Sequence, residues 1–77
     1  MNDLISHLDK LHTTPLGAER IRKNLTLDAP DVVAWCREKT ANADSIVRKG
    51  KNWYVHAASV VITINVHSYT IITAHKK

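Results

Sequence analysis

The sequence predicts an α+β fold in which three N-terminal helices pack on a four-stranded antiparallel meander. Three observations lead there. Residues 60–66 (VVITINV) alternate apolar and polar positions with the period of two of a half-buried strand, and residues 69–75 (YTIITAH) resume that pattern with β-branched and aromatic side chains. Only His67 and Ser68 separate the two runs, too short a link for a parallel crossover, so they pair antiparallel. Finally, the helix signals all fall in the first half of the chain and the strand signals in the second, with no βαβ alternation.

The first helix is expected over residues 3–12, where Leu4, Ile5, Leu8 and Leu11 make one apolar stripe and Asn2 is available as N-cap. His7 and His12 are five residues apart and do not share a face as a metal-binding pair would, so His7 reads as a surface residue. Pro15 ends that helix and opens a second over residues 15–24, with Thr14 as N-cap. Gly17 weakens this second helix by about 1 kcal/mol relative to alanine, which points to a close backbone contact there. Arg20, Arg22 and Lys23 give it a basic, solvated face.

A third helix is expected over residues 30–40, capped by Asp28 with Pro30 in the first turn and Asp31 favourably placed in the dipole field. Val32, Val33, Trp35 and Cys36 form its inward side, and mid-helix on an apolar stripe Cys36 is a packing residue rather than a nucleophile. Two short strands follow, over residues 45–48 and 53–57, joined by the glycine-containing turn Lys49-Gly50-Lys51-Asn52. Trp53 and Tyr54 then fall on opposite faces of their strand.

The register of the last hairpin decides which face is polar. An even-length loop puts Ile62 and Ile64 on the same face as Ile71 and Thr73. An odd-length loop gathers Thr63, Asn65, Tyr69, Thr73 and His75 on one face and Val60, Ile62, Ile64, Thr70, Ile72 and Ala74 on the other. The odd loop separates polar from apolar better and is preferred here, although it strands Ile71 on the polar side.

Size and charge narrow the function. A single domain of residues 1–77 buries a small core, which makes a homodimer through an exposed sheet edge a natural supplement. One cysteine allows no internal disulfide, and the early acids and short apolar runs fit neither a signal peptide nor a membrane span, so a cytoplasmic protein without membrane partners is expected. All seven acids lie in residues 1–44, where six Lys/Arg leave a net charge of −1; residues 45–77 hold five Lys/Arg and no acid, a net +5. That field favours anionic partners, nucleic acid foremost.

No phosphate-binding glycine loop, zinc spacing, nucleophile elbow or calcium loop is present, and no metal or cofactor is expected. The carboxylate-free half still offers what RNA binding needs: Arg48, Lys49, Lys51 and Lys76 for phosphate, Tyr54 for stacking (with Trp53 as the other aromatic), and Asn65, Tyr69 and Thr73 to orient a nucleotide. The alternative is metal-independent RNA cleavage, with His75 or His67 moving the proton and Lys51 stabilising charge on the phosphate.

Three blocks, LHTTPLGAERIRKNL (residues 11–25), RKGKNWYV (residues 48–55) and ITINVHSYTIITAHKK (residues 62–77), resemble a family of small bacterial proteins catalogued only as a domain of unknown function. The resemblance spans most of the chain and implies a bacterial, cytoplasmic protein; it implies no activity. At the level of architecture alone, helices followed by a meander are similar to the barnase, colicin ribonuclease and RelE toxin group. The sheet half lacks the glutamate base of the barnase pattern.

Overall fold

The computed structural model describes residues 3–28 and 30–77. Its helices are α1 (Asp3–Ser6), a 3₁₀ turn (Leu8–Lys10), α2 (Pro15–Leu25) and α3 (Val32–Ala41), and its strands are β1 (Ser45–Lys49), β2 (Asn52–Ala57), β3 (Val60–Asn65) and β4 (Ile71–Lys76). The four strands lie in sequence order, each antiparallel to the next. This is the α+β meander that the sequence predicts.

The helical layer departs from expectation at two points. The helix expected over residues 3–12 is interrupted at His7 (φ −131°, ψ 35°) and continues only as the 3₁₀ turn. The break lets Leu4 and Leu11 both enter the core, with Leu11 already extended. The N-cap expected at Asn2 lies outside the described residues. In α3 the cap is Asp31, not Asp28: its carboxylate accepts the Ala34 amide at 3.0 Å, and Pro30 sits ahead of the cap instead of inside the first turn. For α2 the expectation holds, with the Thr14 hydroxyl accepting the Gly17 amide at 3.0 Å and Pro15 at the first helical position.

One face of the sheet carries the core. Trp53, Val55 and Ala57 of β2, Val60, Ile62 and Ile64 of β3, and Ile71 and Ala74 of β4 meet Leu4, Leu11, Ile21, Leu25, Val32 and Cys36 from the helices. Trp35 is only half-buried, with the Lys39 ammonium 5.6 Å from its ring centroid, so it borders the core rather than filling it. Cys36 is fully buried, and desolvation pushes its thiol up to about 12 from 9.0. It is chemically inert, as its helical position predicts.

A β-bulge resolves the hairpin register. Thr63 is paired with Thr73 but Ile64 with Ile71, so Ile72 is the extra residue on β4. As preferred from the sequence, Thr63, Thr73 and His75 share one face, while Val60, Ile62, Ile64 and Ala74 share the other. The bulge also turns Ile71 inward and leaves Ile72 39% exposed, the reverse of simple alternation. Tyr69 is corrected as well. With φ at 57° it ends the loop ahead of β4 and packs edge-on against buried Trp53, 5.4 Å between centroids, on the helix side of the sheet.

The two sheet edges differ. Along β4, the Ile71 amide donates to the His12 carbonyl (2.7 Å), the Thr13 hydroxyl donates to the Ile71 carbonyl (2.9 Å), and the Asn24 amide donates to the Ala74 carbonyl (3.2 Å). The segment before α2, and α2 itself, therefore cover that edge. Gly17 is part of the arrangement: a Cβ there would collide with the Thr13 hydroxyl, the close contact that a helical glycine suggests. β1, by contrast, pairs with β2 alone among the described residues.

Candidate nucleic-acid interface

The sheet face opposite the core carries three cross-strand rows. Ser45, His56, Val61 and His75 form one; Val47, Tyr54, Thr63 and Thr73 form the next; Lys49, Asn52 and Asn65 form the third. None of these residues is acidic. The rows follow from strand alternation and the paired registers: Tyr54 and His56, for example, stand between the buried residues Trp53, Val55 and Ala57. Tyr54 occupies an inner strand of the middle row, flanked by Val47, 48% exposed, and by Thr63, which its neighbours leave only 7% exposed. A shallow concavity of about 490 Å³ lies over this region, lined by Val47, Lys49, Gly50, Tyr54, His56 and Val61.

The structure divides the residues singled out in the sequence. Lys49, Tyr54, Thr73 and His75 all belong to the rows of the open face. Lys51 stands in the two-residue turn after Lys49, whose first residue, Gly50, has the positive φ (63°) that this kind of hairpin turn demands. Arg48 and Lys76 are paired with Trp53 and Val60, so they lie on the helix-side register, exposed at opposite ends of the sheet. Asn65 holds the β3–β4 loop, its side-chain oxygen accepting the His67 and Ser68 amides at 2.9 and 3.0 Å.

The three residues considered for catalysis do not converge. His67 and Lys51 are at the end of the sheet where the β1–β2 turn and the β3–β4 loop meet, as the hydrogen bond from the Val66 amide to the Lys51 carbonyl (2.9 Å) shows. His75 is opposite Val61, four residues along β3 from Asn65, or about 13 Å at strand rise. His75 instead shares its row with His56, two strands away.

A cluster that the sequence did not signal sits at the same end as His67 and Lys51. His12, drawn in by its backbone pairing with β4, places Nε2 3.1 Å from the Thr70 hydroxyl, and that hydroxyl is 2.7 Å from the Ser68 hydroxyl. His12 Nδ1 lies 3.0 Å from the Lys10 carbonyl. Around it, the Lys10 ammonium is 5.5 Å from the Tyr69 ring centroid and the His7 ring 5.7 Å from it. Among the described residues, no group of three or more His, Cys, Asp or Glu is arranged to hold a metal ion, and no helix is long and apolar enough to cross a membrane.

A family model described as "Protein of unknown function (DUF3781)" matches residues 5–75. No curated protein and no solved structure matches the chain, so the architectural likeness to ribonuclease toxins gains no support.

Proposed function

Because the chain belongs to the DUF3781 family, whose description assigns no activity, its role has to be read from its own surface, and we propose that it binds single-stranded RNA on the open face of its sheet. The observation that carries this reading is the set of three cross-strand rows without a carboxylate, centred on Tyr54. A base stacked on an aromatic platform contributes about 1–3 kcal/mol, and the platform serves any base because every base has a π-face. Val47 and Val61 offer apolar contact beside the ring, while Lys49 and Lys51 at one end can meet phosphates. Single strands are favoured over duplex because only unpaired bases expose the faces that Tyr54 would stack.

The test is anisotropy of a labelled RNA 12-mer across a salt series. Tyr54→Ala is expected to weaken binding about 10-fold at all salt concentrations. Lys49→Ala should lower the slope of log affinity against log salt by about 0.7, the value for one single-strand phosphate. Absence of binding at about 50 mM salt, where phosphate contacts are strong, would refute the reading.

A second reading concerns assembly, and the bare edge of β1 favours it. Antiparallel pairing of two β1 strands about Val47 sets Lys49 opposite Ser45 of the partner subunit and Arg48 opposite the partner's Ile46, so no like charges face each other. Such a homodimer would predict a twofold mass in light scattering that Arg48→Pro, which removes an N–H pointing to the free edge, reduces to that of one chain. A single-chain mass for the wild type at high concentration would refute it.

A further inference from the structure

The contacts of His12 fix its proton arrangement. A carbonyl only accepts, so the nitrogen facing the Lys10 carbonyl at 3.0 Å, Nδ1, is the one that carries hydrogen. In the neutral ring Nε2 is then bare and accepts the Thr70 hydroxyl at 3.1 Å; the Ser68 hydroxyl lies 2.7 Å from the Thr70 oxygen and 3.2 Å from Asn65 Oδ1. This is a base held in one tautomer by a third group, with its lone pair aimed at a hydroxyl. His12 is exposed, so another hydroxyl can take the place of Thr70. The Lys10 ammonium lies 5.5 Å from the ring centroid of Tyr69, the residue before Thr70, and Lys51 stands at the same end of the sheet.

We propose that His12 is the general base of a metal-independent RNA cleavage, a function that rests on the RNA-binding reading of the open face. A ribose 2′-hydroxyl displaces the Thr70 hydroxyl at Nε2, and His12 takes its proton. The 2′-oxygen forms a bond to the adjacent phosphorus, the bond from phosphorus to the 5′-oxygen breaks, and the proton returns through solvent to that oxygen. The products are a 2′,3′-cyclic phosphate and a 5′-hydroxyl, with no net consumption of water, metal or cofactor. The Lys10 ammonium offsets charge developing on the phosphate. Thr70 occupies the nucleophile's place in the free protein and is dispensable for the chemistry.

The experiment uses end-labelled RNA in EDTA, with binding and cleavage both read. Wild type is expected to leave 2′,3′-cyclic phosphate ends, and an oligonucleotide of the same sequence with 2′-deoxy sugars is expected to be bound but not cut. His12→Asn keeps an amide where Nδ1 meets the Lys10 carbonyl but has no Nε2; it should bind RNA as wild type does and cut at least about 100-fold more slowly. Thr70→Val, which frees Nε2, should still cut. Bound RNA left intact by wild type, or cleavage by His12→Asn at the wild-type rate, overturns the proposal while leaving the binding reading in place. RNA that is not bound at all overturns both.

Discussion

Truncating Ile71 and Ile72 separately measures the bulge in β4. Strand alternation with an odd loop puts Ile72 in the core; the structure puts Ile71 there, 1% exposed, and leaves Ile72 39% exposed. Ile71→Ala removes three buried carbons, worth about 2.4 kcal/mol at about 0.8 each, and the cavity left behind raises the cost to about 3 kcal/mol. Ile72→Ala gives up only partly buried area, about 1 kcal/mol. Loss of strand propensity is common to both variants and cancels in the comparison, so the difference of about 2 kcal/mol reports the bulge. A domain of this length has a total stability of roughly 4–12 kcal/mol, which makes that difference large. Urea titration followed by tryptophan fluorescence reads it, because Trp53 is in the core. With a slope near 1 kcal/mol per molar urea, the midpoint of Ile71→Ala should lie about 2 M below that of Ile72→Ala. Equal midpoints, or the opposite order, would refute the bulge as placed.

Other variants probe other parts. Gly17→Ala should fail to stabilise α2 despite a propensity gain of about 1 kcal/mol, because its Cβ displaces the Thr13 hydroxyl from the Ile71 carbonyl; in a Thr13→Ala background the same change should stabilise, and the sign reversal is read by urea titration. The buried Cys36 thiol, raised to about 12, resists ionisation in the folded state while the unfolded thiol ionises near 9.0. Its contribution is therefore intact below pH 9 and declines above it by about 1.4 kcal/mol per pH unit, so wild type should lose stability between pH 9 and 10 more steeply than Cys36→Ala. Ala58 has φ at 52° in the β2–β3 turn, a region costly to a residue with a Cβ, and Ala58→Gly should raise the thermal midpoint by relieving about 1 kcal/mol of strain.

Much of this architecture is legible in the sequence because it rests on short-range patterns. Thr14 and Pro15 announce α2, the adjacency of residues 60–66 and 69–75 forces a hairpin, and alternation puts Trp53 and Tyr54 on opposite faces. What stays hidden depends on contacts between distant residues, or on insertions that break a period. A bulge adds one residue, so period-two counting presents a choice between Ile71 and Ile72 and has no way to express the third answer. The interruption of the first helix at His7 leaves the apolar stripe intact in sequence, since Leu4 and Leu11 reach the core on both sides of it. Asp28 and Asp31 are equally good caps by residue type, and only the start of α3 at Val32 chooses between them. His12 meets Thr70 across 58 residues of chain, and nothing local to either position foretells the encounter.

The unequal edges of the sheet set its valence. A strand edge is a template for another strand, and a sheet with two bare edges can be extended without limit. Here residues 12 and 13 and the side chain of Asn24 terminate one side, so the proposed strand addition at β1 would use the other side and end with a closed pair. The segment that seals β4 is thus a chain terminator in the polymer sense. Without residues 12 and 13 and the Asn24 side chain the sheet would offer two templates instead of one, and a self-limiting sheet would become a monomer for fibres.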